Sequence, residues 1–133
     1  MDSTYQTMII IDRLRDICIS RYGCINKAAK AFKDMNLNKY LNSNAYSLGF
    51  NLLRRLCEFL NISYQYAVFG CKEEPFSVTE YTYKNFYNEY KRIYKDNVGH
   101  AVYQSYWKHR MPLKHLINLA QRTGKTIDYL IGG

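Results

Sequence analysis

Leu56-Cys-Glu-Phe-Leu-Asn-Ile-Ser-Tyr-Gln-Tyr-Ala-Val-Phe-Gly70 and Leu119-Ala-Gln-Arg-Thr-Gly-Lys-Thr-Ile-Asp-Tyr-Leu-Ile-Gly-Gly133 are two versions of one phrase. A step of 63 residues carries Leu53 to Leu116, Leu56 to Leu119, Ser63 to Thr126, Tyr66 to Tyr129 and Gly70 to Gly133. The shared positions each have a physical task. Leu53, Leu56 and Leu60, and in the second copy Leu113, Leu116 and Ala120, recur at helical spacing and form an apolar stripe. Ser63 and Thr126 are placed to accept hydrogen bonds from the first free N–H groups of a following short helix, and Gly70 or Gly132-Gly133 to end it in a left-handed turn. The unit is a helix, a short turn and a short helix. Common solenoids repeat at about 20–50 residues, so the longer step indicates two modules instead of a superhelix.

The chain has 133 residues, 47% of them hydrophobic, which is enough for one ordinary domain or two very small ones. Modules of about 60 residues bury only about 60% of their surface, so two lobes sharing a core, or leaning on a second chain, are expected. Cys18, Cys24, Cys57 and Cys71 contain no Cys-x-x-Cys pair and have no histidines at ligand spacing, which argues against structural zinc. His100, His109 and His115 are nine and six residues apart and do not share a helix face, so no metal is expected. The apolar run at 8–11 is followed at once by Asp12 and Arg13, and no stretch reaches the roughly 18 apolar residues of a membrane span. These features predict a soluble cytoplasmic protein without membrane contact. With no nucleophile and base at motif spacing, no phosphate-binding glycine loop and no paired carboxylates, nothing in the sequence supports an enzyme or a cofactor.

Nineteen Lys and Arg against eleven Asp and Glu give a formal charge of +8, which favours a polyanionic partner. The placement of the carboxylates is more telling than their number. None lies between Asp34 and Glu58, and none between Asp96 and Asp128, so both copies keep negative charge off corresponding segments.

Periodicity predicts helices over 7–22, 25–34, a short one ending near 43, then 50–60 and 64–69. Asn36 and Asn38 mark the turn and cap before the third. Residues 71–76 read as a linker between a first domain at 1–70 and a second at 77–133. Ser77-Val-Thr-Glu80 has the form of a capping box and predicts a long helix to about 95, followed by helices over 100–108, 113–123 and a last one after Thr126. Pro112 stands at the first turn of its helix. No segment alternates with period two for long enough to make a sheet, so the fold class is all-α.

Met111-Pro-Leu-Lys-His-Leu-Ile-Asn-Leu-Ala-Gln-Arg-Thr-Gly-Lys-Thr-Ile-Asp-Tyr-Leu-Ile-Gly132 resembles the C-terminal half of the lambda-repressor-like helix-turn-helix domain, the XRE or Cro family. In the first copy the resemblance extends from Arg13-Leu-Arg15 through Ala28-Ala-Lys-Ala-Phe32 to Gly70. It implies tandem five-helix bundles, with the third helix entering the DNA major groove. The chain departs from the pattern in two places. Lys33-Asp-Met-Asn36 stands where a glycine after a small residue is usual, with Asn36 expected to take the left-handed conformation. The second copy leaves little room for a separate second helix before Gly99, so its helix-turn-helix is expected to be degenerate.

The resemblance implies a transcription regulator of phage or mobile-element type that binds double-stranded DNA. Asn38, Lys39, Asn42, Ser43 and Asn44 carry the donors and acceptors for base edges and phosphates, because asparagine pairs with adenine and lysine reaches guanine or phosphate. A polar loop with local side-chain to backbone bonds is the plain alternative for this segment. Arg54 and Arg55 are candidates for phosphate contact or for a solvated face. In the second copy Gln104, Lys108, His109 and Arg110 are further candidates for nucleic acid, interleaved with Tyr106 and Trp107. Tyr83, Tyr87 and Tyr90, with Tyr106 and Trp107, also fit an interface in a homodimer or with a protein partner, or else the module's own core. The alternative function is therefore a protein-interaction module on the same scaffold, such as a phage-encoded inhibitor of a host nucleoprotein complex.

Overall fold

The computed structural model describes residues 3–42, 48–95, 99–108 and 111–133, and these form helices and connections without a strand. The order is α1 Ser3–Tyr22, α2 Ile25–Phe32, α3 Leu37–Asn42, α4 Phe50–Leu60, α5 Tyr64–Phe69, α6 Lys84–Tyr94, α7 His100–Trp107, α8 Leu113–Thr123 and α9 Ile127–Ile131. The protein is all-α.

The repeated phrase folds as its spacing demands. Leu52, Leu53, Leu56, Cys57 and Leu60 bury one face of α4, and Leu116, Ile117, Leu119 and Ala120 bury the matching face of α8. Ser63 accepts the Tyr66 N–H at 3.1 Å and Thr126 the Tyr129 N–H at 3.0 Å, so both short helices carry the hydroxyl cap that the sequence predicts. Gly70 ends α5 with φ +68°. A Cβ there would lie 2.6 Å from the Arg13 guanidinium. That guanidinium donates to the Ala67 and Val68 carbonyls at 2.8 Å each, tying α1 to the end of α5. At the end of α9, Gly132 has φ −93° and the positive φ falls on the next residue, Gly133, at +123°.

Around this frame α1 packs on α2, α3 and α5, while α6 packs on α8 and α9. Thus α6 stands against the last helix of the second copy as α1 stands against the last helix of the first. Its start is tied there as well: Tyr83 N–H donates to Ile131 O at 2.7 Å, and the Asn85 side-chain amide to Tyr129 O at 2.9 Å. No described helix between α6 and α7 corresponds to α2.

Two local expectations are corrected. The left-handed residue after α2 is Lys33, at φ +64°, and not Asn36. The helix end is closed by Lys33 N–H to Lys30 O and Asp34 N–H to Ala29 O, while Asn36 is used to begin α3, its carbonyl accepting the Tyr40 N–H at 3.0 Å. The helix expected from Ser77 starts only at Lys84, after Tyr83 at φ +57°. Residues 71–83 form instead a strap across the first copy. Ser63 N–H donates to Glu74 O at 2.8 Å, Phe76 N–H to the Asn61 side chain at 3.2 Å, and the Tyr81 and Tyr64 hydroxyls meet at 2.8 Å. The rings of Phe76 and Phe50 both pack on Tyr64, with centroids 5.7 and 5.5 Å away. These contacts need an extended chain, and they override the local capping signal at Ser77 and Glu80.

The core is one continuous cluster drawn from both copies, from Ile10 and Leu14 to Leu130 and Ile131. Where α5 meets α9 the two copies cap each other. The Asp128 carboxylate accepts the N–H groups of Tyr64 and Gln65 at 2.8 and 2.9 Å, and the Gln65 side-chain oxygen accepts the N–H of Ile127 at 2.9 Å. Gln65 and Asp128 occupy the same place in the two copies, the second residue of the short helix.

Candidate nucleic-acid interface

The short helix α3 is held by Leu37 and Leu41, both buried, which fixes the rest of its surface. One turn separates these two leucines, so Asn38, Lys39 and Asn42 point to solvent together. The Asn42 amide donates to the Asn38 side-chain oxygen. Each asparagine keeps further hydrogen-bonding capacity, since an amide nitrogen has two hydrogens and an amide oxygen two lone pairs. Ser43 and Asn44 lie outside the described residues.

Asp34 sits just ahead of α3 and organises it. Its carboxylate accepts the Asn36 N–H at 3.0 Å, the Tyr40 hydroxyl at 3.1 Å and the Arg55 guanidinium at 3.1 Å. The Asn36 N–H, with smaller help from Arg55 and Tyr40, holds this carboxyl below its ordinary value of 3.8. Arg55 also covers the Phe32 ring, 4.7 Å from its centroid. Arg55 therefore braces the α2–α3 turn, and its charge balances the one carboxylate beside the polar face. Arg54 is likewise engaged, with Glu58 at 3.1 Å and the Tyr81 ring at 4.0 Å. Both arginines are exposed, and in the free chain each has an intramolecular partner.

In the second copy the burial pattern shows which residues stand where α3 stands. Val102 is buried and Ser105 and Tyr106 are half-buried, whereas Tyr103, Gln104 and Lys108 are exposed. This is the pattern of Leu37, Tyr40 and Leu41 against Asn38 and Lys39, displaced by 65 residues and not by 63. The cause is the connection to the next helix, which spans 43–49 in the first copy and only 108–112 in the second. Tyr103 and Gln104 are thus the counterparts of Asn38 and Lys39. His109 and Arg110 lie outside the described residues, and Trp107 ends α7 with a side chain that is likewise outside them.

The expected tyrosine seam divides. Tyr83 is 2% exposed and belongs to the core, because the turn before α6 folds it inward; its hydroxyl, hydrogen-bonded to the Met111 backbone, is pushed up to about 12 by burial. Tyr87, Tyr90 and Tyr106 are half-buried, with Tyr87 stacked on Tyr106 at 4.4 Å between centroids and 6.2 Å from Tyr103. Lys91 lies over the Tyr87 ring. Between the start of α4 and α7 runs a cleft of about 820 Å³, lined by Phe50, Arg54, Tyr81, Ser105, Lys108 and Met111 among others.

Sequence reading missed Asp34, Tyr81 and the Gln65–Asp128 exchange. Only the last left a trace in the sequence, as two polar residues one repeat apart. Cys18 and Cys57 are buried, and burial pushes the Cys18 thiol up to about 11 and the Cys57 thiol further in the same direction. Among the described residues no three His, Cys, Asp or Glu side chains are grouped to hold a metal, and no helix is long and apolar enough to cross a membrane. No protein-family model matches the chain, and neither a curated protein nor a solved structure matches it.

Proposed function

We propose that the chain binds double-stranded DNA as a transcription regulator of the lambda-repressor-like kind, with α3 entering the major groove. The observation that carries this reading is the α3 surface: two buried leucines aim Asn38, Lys39 and Asn42 outward together, on a segment without carboxylates. Asparagine is suited to the adenine edge, and the Asn38–Asn42 bond pre-orients both amides for it. Asp34, the nearest carboxylate, is neutralised by Arg55 and does not repel a phosphate backbone.

Selection from a pool of random duplexes, followed by sequencing of the bound fraction, tests this reading. An enriched sequence is the expected result, and an unenriched pool contradicts it. Substituting Asn42 with alanine is expected to relax preference at one base pair, a loss of about 1–3 kcal/mol confined to that position. A uniform loss over all sequences would remove Asn42 from base readout.

The second reading, a protein-interaction module, is favoured by the Tyr87, Tyr103 and Tyr106 cluster, of which Tyr103 is 41% exposed. Tyrosines beside cations make anchors for a protein surface. Pull-down of a partner that alanine at Tyr103 abolishes, together with an unenriched DNA pool, is the outcome that would favour it.

A further inference from the structure

The capping exchange between α5 and α9 is reciprocal. The residue at the second position of each short helix reaches the first backbone N–H of the other: Asp128 to Tyr64, and Gln65 to Ile127. Contacts in which i meets j of the other unit, and j meets i, are the mark of a two-fold interface between like units. A second pair of matching segments supports the same axis, since Gly49 and Phe50 at the start of α4 share one groove with Pro112 and Leu113 at the start of α8. Two-fold rotation conserves height along its axis. Elements that correspond in the two copies therefore face the same end of the molecule, on opposite sides of the axis. The burial pattern makes α3 and α7 such a pair, with α3 resting on α1 and α7 resting on α6 through Tyr87, Tyr103 and Tyr106.

We propose that the chain is a two-fold dimer folded into one polypeptide, and that α7 is a second duplex-contacting element acting beside α3. One chain then covers a DNA site of two unlike halves. The inference rests on the DNA reading of α3 and adds to it the partner's form. A duplex has its own two-fold axes perpendicular to its length, and paired readers related by such an axis meet successive half-sites on one face of the helix. The halves must differ because the readers differ: Asn38 and Lys39 on α3 are replaced by Tyr103 and Gln104 on α7. Gln104 carries an amide suited to adenine, and Tyr103 a hydroxyl and a ring for phosphate or base. Lys108 adds a cation at the end of α7, and no carboxylate occurs between Asp96 and Asp128 to oppose it.

Footprinting on a duplex recovered by selection, with the mass of the complex measured in parallel, tests the proposal. The expected result is one chain per duplex and two protected patches on one face. Replacing Asn38 and Lys39 together with alanine should weaken protection of one patch, and replacing Tyr103 and Gln104 together should weaken the other, each lowering affinity roughly tenfold or more. All four side chains are exposed, and thermal melting of each variant checks that the fold is kept. Two chains per duplex, a single patch, or a Tyr103 and Gln104 variant that binds like the parent would overturn the one-chain dimer while leaving α3 as a reader. If no duplex is recovered, the DNA reading fails and this proposal falls with it.

Discussion

Replacing Tyr83 with alanine is expected to lower the melting temperature by roughly 10–20 °C. Tyr83 is 2% exposed and stands among the largest fully enclosed side chains. Removing such a ring costs about 3–5 kcal/mol, the transfer of the lost surface plus the cavity left behind. The expected loss is a large share of the 5–15 kcal/mol that keeps a domain folded. Phenylalanine at the same place should cost only about 1 kcal/mol, because it keeps the ring and gives up the bond to the Met111 backbone. A seam tyrosine would behave differently. Alanine would then leave the melting temperature in place and change the mass of the particle in solution, and that result would return Tyr83 to the surface.

The second large effect is expected at Asp128. Alanine there removes the acceptor of two backbone N–H groups, those of Tyr64 and Gln65, and leaves the start of α5 without its negative charge. Charge-assisted bonds of this kind contribute about 1.5–3 kcal/mol, and the fall in melting temperature should be roughly 5–12 °C. Asparagine keeps one acceptor and should lose about half as much. Alanine at Gln65 removes one neutral acceptor and should cost about 1 kcal/mol. The two sites touch, so the double variant should fall short of the sum, and a thermal melting cycle on the four proteins measures the difference. Strict additivity would mean that the two caps act separately and that the copies are not joined by a shared exchange.

The parts of the fold that were legible in the sequence are those governed by local chemistry. The bounds of α4, α5 and α8 and the start of α9 follow from leucines at helical spacing, the hydroxyls of Ser63 and Thr126, and the glycine after α5. What escaped was decided by contacts far along the chain. Ser77 and Glu80 have the form of a helix start, but Phe76 and Tyr81 have more to gain against Tyr64 and Phe50 in an extended strap. Lys33 takes a left-handed conformation that nothing in its side chain announces, where its own N–H and that of Asp34 close the end of α2 on the Lys30 and Ala29 carbonyls. Asn38, Lys39 and Asn42 were among the candidates that the helix-turn-helix resemblance implied, and the structure exposes all three. The engagement of Arg54 and Arg55 was not visible in the sequence, since Glu58 and Asp34 become their partners only when α4 is laid against its neighbours. The shift from 63 to 65 residues at α7 was hidden too, because the shorter connection shows only in which side chains are buried.

Equilibrium titration of a labelled duplex at about 50 and about 200 mM monovalent salt tests the central claim, that this basic surface binds DNA, most directly. Saturable binding at the lower salt is expected, with an affinity that falls steeply at the higher. Each phosphate neutralised contributes about −0.9 to the slope of log affinity against log salt, so alanine at Lys39 should make the slope shallower by about one. No saturable binding at the lower salt, or an affinity that does not change between the two, would contradict the account.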